Sequence, residues 1–388
     1  MKEAVAGELA AAYDSARVDD IRAAGFVWHA GRLTVHLARE FGFCYGVDRA
    51  VDYAYQTRKR FPDRRVFLTG EIIHNPHVND RLRAQGIRFL TDAGESPAVL
   101  GKDDVVILPA FGVATSDLAA LERQGCTLVD TTCGSVLNVW KNVRRYAQDG
   151  LTSIIHGKVH HEETRATASQ ATQYAGGHFL VVLDTGEAAA VCEFIRHGGD
   201  AAAFLARFRD AVSPGFDPTR HLERIGCANQ TTMLMTESLA IGEMFRIAIR
   251  DRYGDAEMPV RFRAFDTICS ATQERQDAVV ALLAEQPLDL MLVLGGYNSS
   301  NTCNLARICA ERVPTFHIAD PDCLVSAEAI RHRPIGGPST VATPEHLAGG
   351  WLPPGQVSIG LTAGASTPNN LVGQVLERLE RFGVVPAG

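Results

Sequence analysis

The chain has 388 residues, 46% of them hydrophobic and 21% charged, the composition of a soluble globular protein long enough for two or three domains. A formal net charge of -7 and the lack of any long basic run argue against nucleic acid or an anionic membrane surface as the main partner. No apolar stretch approaches the roughly 20 residues that span a bilayer. The N-terminus lacks the basic-then-apolar pattern of a signal peptide and carries Glu3, Glu8, Asp14, Asp19 and Asp20, acids that transit peptides avoid. Residues 1–32 therefore read as an appended helical, amphipathic extension, and the protein is expected in the cytoplasm.

Leu33-Thr-Val-His-Leu-Ala reads as a strand running into Phe41-Gly-Phe-Cys44-Tyr-Gly-Val-Asp-Arg and then a helical run from Ala50. The same strand-Cys-helix order recurs at Thr127-Leu-Val-Asp-Thr-Thr-Cys133, followed by Val136, Trp140 and Val143 at helical spacing. It recurs again at Phe265-Asp-Thr-Ile-Cys269 before Gln276-Asp-Ala-Val-Val. Each unit is followed by an apolar run with a polar loop: Gly70 to His77, Ile154 to Glu163, and Leu292 to Asn301. A third set comprises Val105 to Gly112, Phe179 to Gly186 and Val357 to Ser366.

Three such repeats predict an α/β protein, a first domain over 33–132, a second over 133–268 and a third over 269–388 with a C-terminal helix. Residues 187–226, with a Ser213-Pro-Gly turn, interrupt the second as an insertion. Strands that are apolar almost throughout, alternating with helices, indicate mostly parallel sheets, which bind ligands beyond the carboxyl ends of their strands. All the polar loops fall at those ends, so the three domains and their cysteines are expected to face one centre.

Nine scattered cysteines are poor material for a disulfide framework. Cys126, Cys192, Cys227, Cys303, Cys309 and Cys323 read as small buried hydrophobes. Cys44, Cys133 and Cys269 differ, because each stands where a helix begins and the helix dipole favours the thiolate. Three thiolates are one short of the usual four for a cubane iron-sulfur cluster, which leaves one iron open to substrate. Zinc with three cysteines is the rival, although no Cys-x-x-Cys pair occurs.

Around this centre, Ser299, Ser300 and Asn301 follow Gly295-Gly296 at a strand-to-helix junction suited to phosphate, without a Walker lysine. Ser366 reads either as part of that cup or as a plain N-cap. His74, His77, His156, His160 and His161 crowd the loops, in a chain with 13 histidines. Glu163 is a candidate proton donor, and Glu162 or Glu163 alternatively a favourable charge in a first helical turn.

These residues resemble the 4-hydroxy-3-methylbut-2-enyl diphosphate reductase family, also called IspH or LytB, from about residue 34 to 380. The carriers are Gly-Phe-Cys44-Tyr-Gly-Val-Asp-Arg-Ala-Val, His74-Asn, Asp-Thr-Thr-Cys133, His161-x-Glu163 with Thr167, and Asn-Gln-Thr231-Thr. Asp-Thr-Ile-Cys269-x-Ala-Thr-x-x-Arg-Gln, Asn-Ser299-Ser300-Asn301 and Thr-Ala-Gly-Ala-Ser366 complete the set.

The resemblance implies a trefoil of three small α/β domains around a central 4Fe-4S cluster held by Cys44, Cys133 and Cys269, with the fourth iron taking the substrate hydroxyl. It implies that His74, Ser299, Ser300, Asn301 and Ser366 hold the diphosphate of a small allylic diphosphate, and that Thr231, His161 and Glu163 lie near its hydroxymethyl group. Two electrons, from a donor such as ferredoxin or flavodoxin, and protons through Glu163 would expel water and give isopentenyl and dimethylallyl diphosphate.

Two positions depart from the familiar pattern. Ala110-Phe111-Gly stands where many members have Ala-His-Gly, a change shared with the longer plastid and cyanobacterial branch, and His77, His156 or His160 is the expected substitute for the lost histidine contact. Gly134 follows Cys133 where proline is usual, which loosens the backbone beside that cysteine. The alternatives to the reductase are a divergent paralogue acting on another allylic alcohol and a non-catalytic iron-sulfur or zinc redox sensor.

Overall fold

The computed structural model describes residues 2–265, 267–336 and 343–383. Asp266 of the motif before Cys269, and residues 384–388 at the end of the third predicted segment, lie outside the described residues. The chain forms two compact units, one made of Met1–Asp63, Glu71–Arg88 and Ser270–Gly388, the other of Arg64–Gly70 and Phe89–Cys269.

The first unit is built on a five-stranded sheet in the order Val27–Ala30, Leu33–Leu37, Val357–Ala363, Leu290–Leu294, Thr315–Ile318. All neighbours are parallel except the first pair, an antiparallel hairpin turned at Gly31, whose φ of 58° lies in the left-handed region. Both faces are covered. Leu33, Val35, Leu292 and Ile359 pack with Leu371, Val375 and Leu379 of the helix Asn369–Gly383. Met291 and Val293 pack on the other side with Val279 of Ser270–Glu285 and Leu305 of Ser300–Ala310. Continuous apolar runs suit strands buried on both sides.

The N-terminal extension is two helices, Lys2–Tyr13 and Ala16–Ala23, and Val27–Ala30 is a strand rather than helix, because it finds an edge to pair with in Leu33–Leu37. The first helix buries Val5 and Tyr13. Tyr13 and Tyr55 share a hydrogen bond of 3.0 Å between their hydroxyls.

The second unit holds two sheets. In one, Val66–Leu68, Val105–Leu108 and Thr127–Asp130 are parallel, with Ile87–Phe89 at the edge where the chain enters the unit. In the other, Phe262–Ala264, Ile225–Asn229, Thr152–His156 and Phe179–Val182 are all parallel. The helix Gly134–Gln148 packs Val139, Val143 and Tyr146 beside Ala171 and Ala228. Gly226 permits this, since a Cβ there would sit 2.6 Å from the Tyr146 ring. The insertion at 187–226 folds as helices with Phe204, Phe208 and Phe216 in the core. Its backbone bonds Val181 N–H to Ala211 O and Ser213 N–H to Phe179 O, covering the edge strand.

The predicted segment 33–132 contributes to both units, because Leu33–Leu37 takes its parallel partner from Val357–Ala363 while its other strands pair among themselves. Parallel strands place the loops Phe41–Cys44, Gly295–Asn301 and Gly364–Thr367 at one end of the first sheet. In the second unit Pro109–Gly112, Thr131–Cys133, Gly157–His161 and Gln230–Thr232 likewise follow strand carboxyl ends.

The Tyr13–Tyr55 bond tests whether the extension is part of the first unit's core. Tyr13→Phe and Tyr55→Phe are each expected to cost about 1 kcal/mol, by stranding the other hydroxyl, and the double variant less than their sum. Denaturant unfolding midpoints of the four chains measure this; strictly additive losses would show that the bond contributes nothing.

Candidate active site

In the first unit, the loops at the strand ends are tied into one polar cup. Ser299 caps the helix Ser300–Ala310, its Oγ accepting from Thr302 N–H at 3.4 Å, so the N-terminal turn of that helix stands at the loop end. Asn301 is 2% exposed; its Oδ1 accepts from Ala365 N–H at 3.0 Å while its buried Nδ2 has no hydrogen-bond partner. Ser366 Oγ donates to His74 O at 3.1 Å and lies 3.5 Å from Ser299 Oγ. His74 is held by Glu71, Nδ1 to Oε2 at 2.9 Å, and the same oxygen accepts from Asn298 Nδ2 at 2.8 Å. The structure thus brings His74, Ser299, Asn301 and Ser366 together, with Ser300, 2% exposed, in the same helix turn. A buried amide with an unpartnered donor, among hydroxyls and a helix N-terminus, fits an anionic ligand.

The glycines at 295 and 364 are demanded by this packing, because a Cβ would lie 2.4 Å from Thr367 Oγ1 and 2.0 Å from Thr302 Oγ1 respectively. Cys44 is joined to the cup through its N–H, which donates to Ala365 O at 3.1 Å. The loop before it is clamped by Arg275. This side chain is 3% exposed and donates from Nη2 to Gly42 O at 2.8 Å and to Phe43 O at 3.3 Å, and from Nη1 to Ala271 O.

The second unit places an acid at the corresponding position. Glu163 is 1% exposed; its Oε1 accepts Thr231 N–H at 2.6 Å and its Oε2 accepts the Thr231 hydroxyl at 3.0 Å. Glu162, one residue earlier, is exposed and serves as helix first-turn charge. His161 caps the same helix, Nδ1 accepting from Glu163 N–H at 3.2 Å, and its ring meets the edge of Phe111 at 5.8 Å. Gln230, fully buried, fastens the arrangement: its Oε1 accepts from Lys158 N–H and Thr164 Oγ1, both at 3.1 Å. Thr231 O in turn accepts from Cys269 N–H at 3.2 Å, and Cys133 N–H donates to Ala110 O, beside Phe111.

The three cysteines singled out by the sequence share an environment. All are partly exposed and in no disulfide; Cys44 and Cys133 are N-caps of Tyr45–Arg60 and Gly134–Gln148 without a side-chain capping bond, and Cys269 directly precedes Ser270–Glu285. Cys126, Cys192, Cys227, Cys309 and Cys323 are buried, and burial pushes their thiols up, for Cys192 to about 11. Cys303 is the exception among the six expected in the core: it is half-buried, on a helix turn whose Ser300, Asn301, Thr302 and Asn304 are buried. Accessible sulfurs at helix N-termini fit a soft metal centre such as an iron-sulfur cluster.

Gly134 does not loosen this frame. It is the first residue of a regular helix, and Leu137 N–H bonds Cys133 O at 3.0 Å. Trp140 and Thr167 brace the turn, with an indole N–H to Oγ1 bond of 3.1 Å.

Residues 35–380 match the LytB protein family. The chain belongs to the LytB family. Curated relatives in that family include the 4-hydroxy-3-methylbut-2-enyl diphosphate reductase of Gloeobacter violaceus, 50% identical with all of this chain and 92% of the relative aligned. That of Thermosynechococcus vestitus is 47% identical, with 97% of this chain and 92% of the relative aligned. The solved structure of (E)-4-hydroxy-3-methyl-but-2-enyl diphosphate reductase, the terminal enzyme of the non-mevalonate pathway, is 25% identical and has a TM-score of 0.53. It covers 89% of this chain and 99% of its own. The reductase structure from Plasmodium falciparum, 20% identical with a TM-score of 0.62 over 88% of this chain and 86% of its own, shares the fold.

The histidines expected to replace the one missing at Phe111 stand in three different settings. His156 ends a buried strand, bonded through Nδ1 to Ser238 Oγ at 2.7 Å. His77 lies in a cavity of about 460 Å³ lined also by Asp80, Asp320 and Arg378. His160 is exposed. Glu71, Asn298, Gln230 and Arg275 were not singled out from sequence. Gln230 and Arg275 stand inside the family motifs, but their roles as clamps depend on backbone carbonyls and loops far away in the chain.

Burial pushes the pKa of His156 down to about 4, and that of His317, which donates from Nε2 to Gly295 O, also to about 4. Unfolded histidine takes its proton near pH 6.5, so the stability contributed by the neutral ring is complete above that pH. It is lost as the pH falls from about 6.5 to about 4. Each ring accounts for about 3 kcal/mol over this window. The urea midpoint is expected to fall steeply there and less steeply in His156→Gln; an identical slope in the variant would refute the assignment.

Proposed function

We propose that this protein is a 4-hydroxy-3-methylbut-2-enyl diphosphate reductase, acting in the last step of the non-mevalonate isoprenoid pathway. It would remove the hydroxyl of (E)-4-hydroxy-3-methylbut-2-enyl diphosphate as water and release isopentenyl and dimethylallyl diphosphate, taking up two electrons and two protons. The family and the named activity of its full-length relatives support the reading. One observation carries it: Glu163, a buried carboxyl bonded by Thr231, whose own carbonyl receives the N–H of Cys269.

Cys44, Cys133 and Cys269 would hold a 4Fe-4S cluster, with one iron lacking a protein ligand. When bound, the cluster supplies Lewis acidity at the substrate hydroxyl and electrons one at a time. The chain's own groups do the rest. His74, Ser299, Ser300, Asn301 and Ser366 would bind the diphosphate, the unpartnered Asn301 Nδ2 donating to a phosphate oxygen, while the Ser300 helix dipole favours the negative charge. Glu163 would hold the proton for the departing hydroxyl. Thr231 fixes the carboxyl rotamer, and its hydroxyl can turn to the substrate, with His161 positioning the helix turn beneath them. Phe111, against His161, excludes water.

We further propose that the three main sheets are the cores of three α/β domains. A one-electron protein such as ferredoxin or flavodoxin would supply the electrons. Nine free thiols suit the reducing cytoplasm.

Anaerobic reconstitution, followed by absorbance, electron paramagnetic resonance and turnover with a chemical reductant, tests the reading. Glu163→Gln is expected to keep the cluster signal and lose about 10²–10⁴-fold in kcat. Cys133→Ser should lose the signal itself. Undiminished kcat in Glu163→Gln, or a colourless wild-type protein inert to the diphosphate, would sink the proposal.

A further inference from the structure

We infer that the solvent face of the helix Gly134–Gln148 is the docking site for a small, acidic electron-carrier protein of the ferredoxin type. The inference rests on the reductase reading, which requires two electrons from outside the chain.

The helix is the longest in the chain without an acidic residue: its fifteen positions hold Lys141, Arg144 and Arg145 and no Asp or Glu. This is unusual in a protein with 45 acidic residues against 38 basic ones. None of the three cations forms an ion pair among the described residues. Arg144 is turned inward, donating from Nε to Gln170 Oε1 at 2.8 Å and lying 5.9 Å from the Trp140 ring. Lys141 and Arg145 are exposed. Asp130 and Glu122 line, with Trp140 and Arg144, a cavity of about 430 Å³ that Lys141 and Arg145 do not border. A basic face on an acidic protein selects an acidic partner, since like charge elsewhere repels it.

Position makes that partner an electron carrier. The helix begins at Cys133, its N-cap. Leu137, 44% exposed, lies one turn, or about 5.4 Å of rise, further on and offers an apolar contact one turn before Lys141. Gly134 is exposed, and a Cβ there would meet nothing within 4 Å. The glycine therefore leaves the backbone beside Cys133 open to close approach. Behind it, Trp140 and Val136 pack with Cys133, joining the helix face to the sulfur through contiguous side chains. Each docked carrier would give up one electron and leave oxidised, so two encounters supply the two electrons of one turnover.

The test uses the full-length reconstituted protein, without substrate, and follows bleaching of cluster absorbance in stopped flow. The reductants are a reduced plant-type 2Fe-2S ferredoxin and, separately, reduced methyl viologen. For the wild type the ferredoxin rate should fall with added salt. Lys141→Glu with Arg145→Glu should slow it about 10-fold or more at low salt and flatten the salt dependence. Lys141→Gln with Arg145→Gln should give a smaller loss, and viologen should reduce all three proteins alike. An unchanged ferredoxin rate overturns the proposal, as does equal slowing by both reductants, which would mark a structural role. So does a wild-type dimer that the charge reversal dissociates, which would assign the face to a second copy of the chain. Failure of the functional reading is recognised separately, because a protein that binds no cluster on reconstitution overturns both.

Discussion

A carboxyl group taken out of water needs partners for its oxygens, and Glu163 has them. Unpartnered in an apolar setting it would be costly in either protonation state, whereas a peptide N–H on one oxygen and the Thr231 hydroxyl on the other offset much of that cost. Both donors come from Thr231, which stands at the end of the strand Ile225–Asn229, while the helix bearing Glu163 follows Thr152–His156. The bonds hold only if those two strands run parallel and in register, and they do, His156 opposite Asn229. The sheet of the second unit is thus the device that holds this one side chain. Its apolar strands, the space at Gly226 for Tyr146 and the Gln230 clamp all serve the register on which the Thr231–Glu163 contact depends.

The first unit solves the same problem in the opposite sense, by leaving donors unsatisfied. Asn301 Nδ2, Thr302 Oγ1 and Thr362 Oγ1 are buried without partners, and all stand on the strand Val357–Ala363 or on the turn into the Ser300 helix. Each such group costs about 1–3 kcal/mol in a folded protein. Thr302 Oγ1 also crowds both places where Gly295 and Gly364 allow close approach, so neighbouring side chains cannot move in to satisfy it. A cup that retains this cost is arranged for an external acceptor.

Much of this was legible in the sequence, for a local reason. Strand, polar turn and helix succeed one another within a dozen residues, so Cys44, Cys133, Cys269 and the Ser299-Ser300-Asn301 turn were placed at strand ends by periodicity alone. The long-range pairings were not legible. Leu33–Leu37 pairs with Val357–Ala363 across most of the chain, and nothing in a run of alternating apolar residues names its partner. Val27–Ala30 was absorbed into a helical extension because its fate is set by a hairpin edge, not by its own pattern. His156 read as a loop histidine from its neighbours in sequence, yet it ends a strand, and its ring is claimed by Ser238, 82 residues away.

Arg275 is the residue where local and distant information meet. In sequence it is the arginine of the motif that begins before Cys269, in a helix that also carries Glu274 and Asp277. In the fold it is buried, its Nε is unpartnered, and its acceptors are backbone carbonyls of Gly42, Phe43 and Ala271 rather than a carboxylate. A guanidinium cannot shed its charge, so the loop leading to Cys44 is held by a permanent, uncompensated cation. That geometry restrains the cysteine and at the same time leaves positive charge beside it. The same element therefore contributes both rigidity and positive charge to the loop. Replacing it by an uncharged side chain of similar size removes the restraint and the positive charge together, so the two effects are one property of the guanidinium.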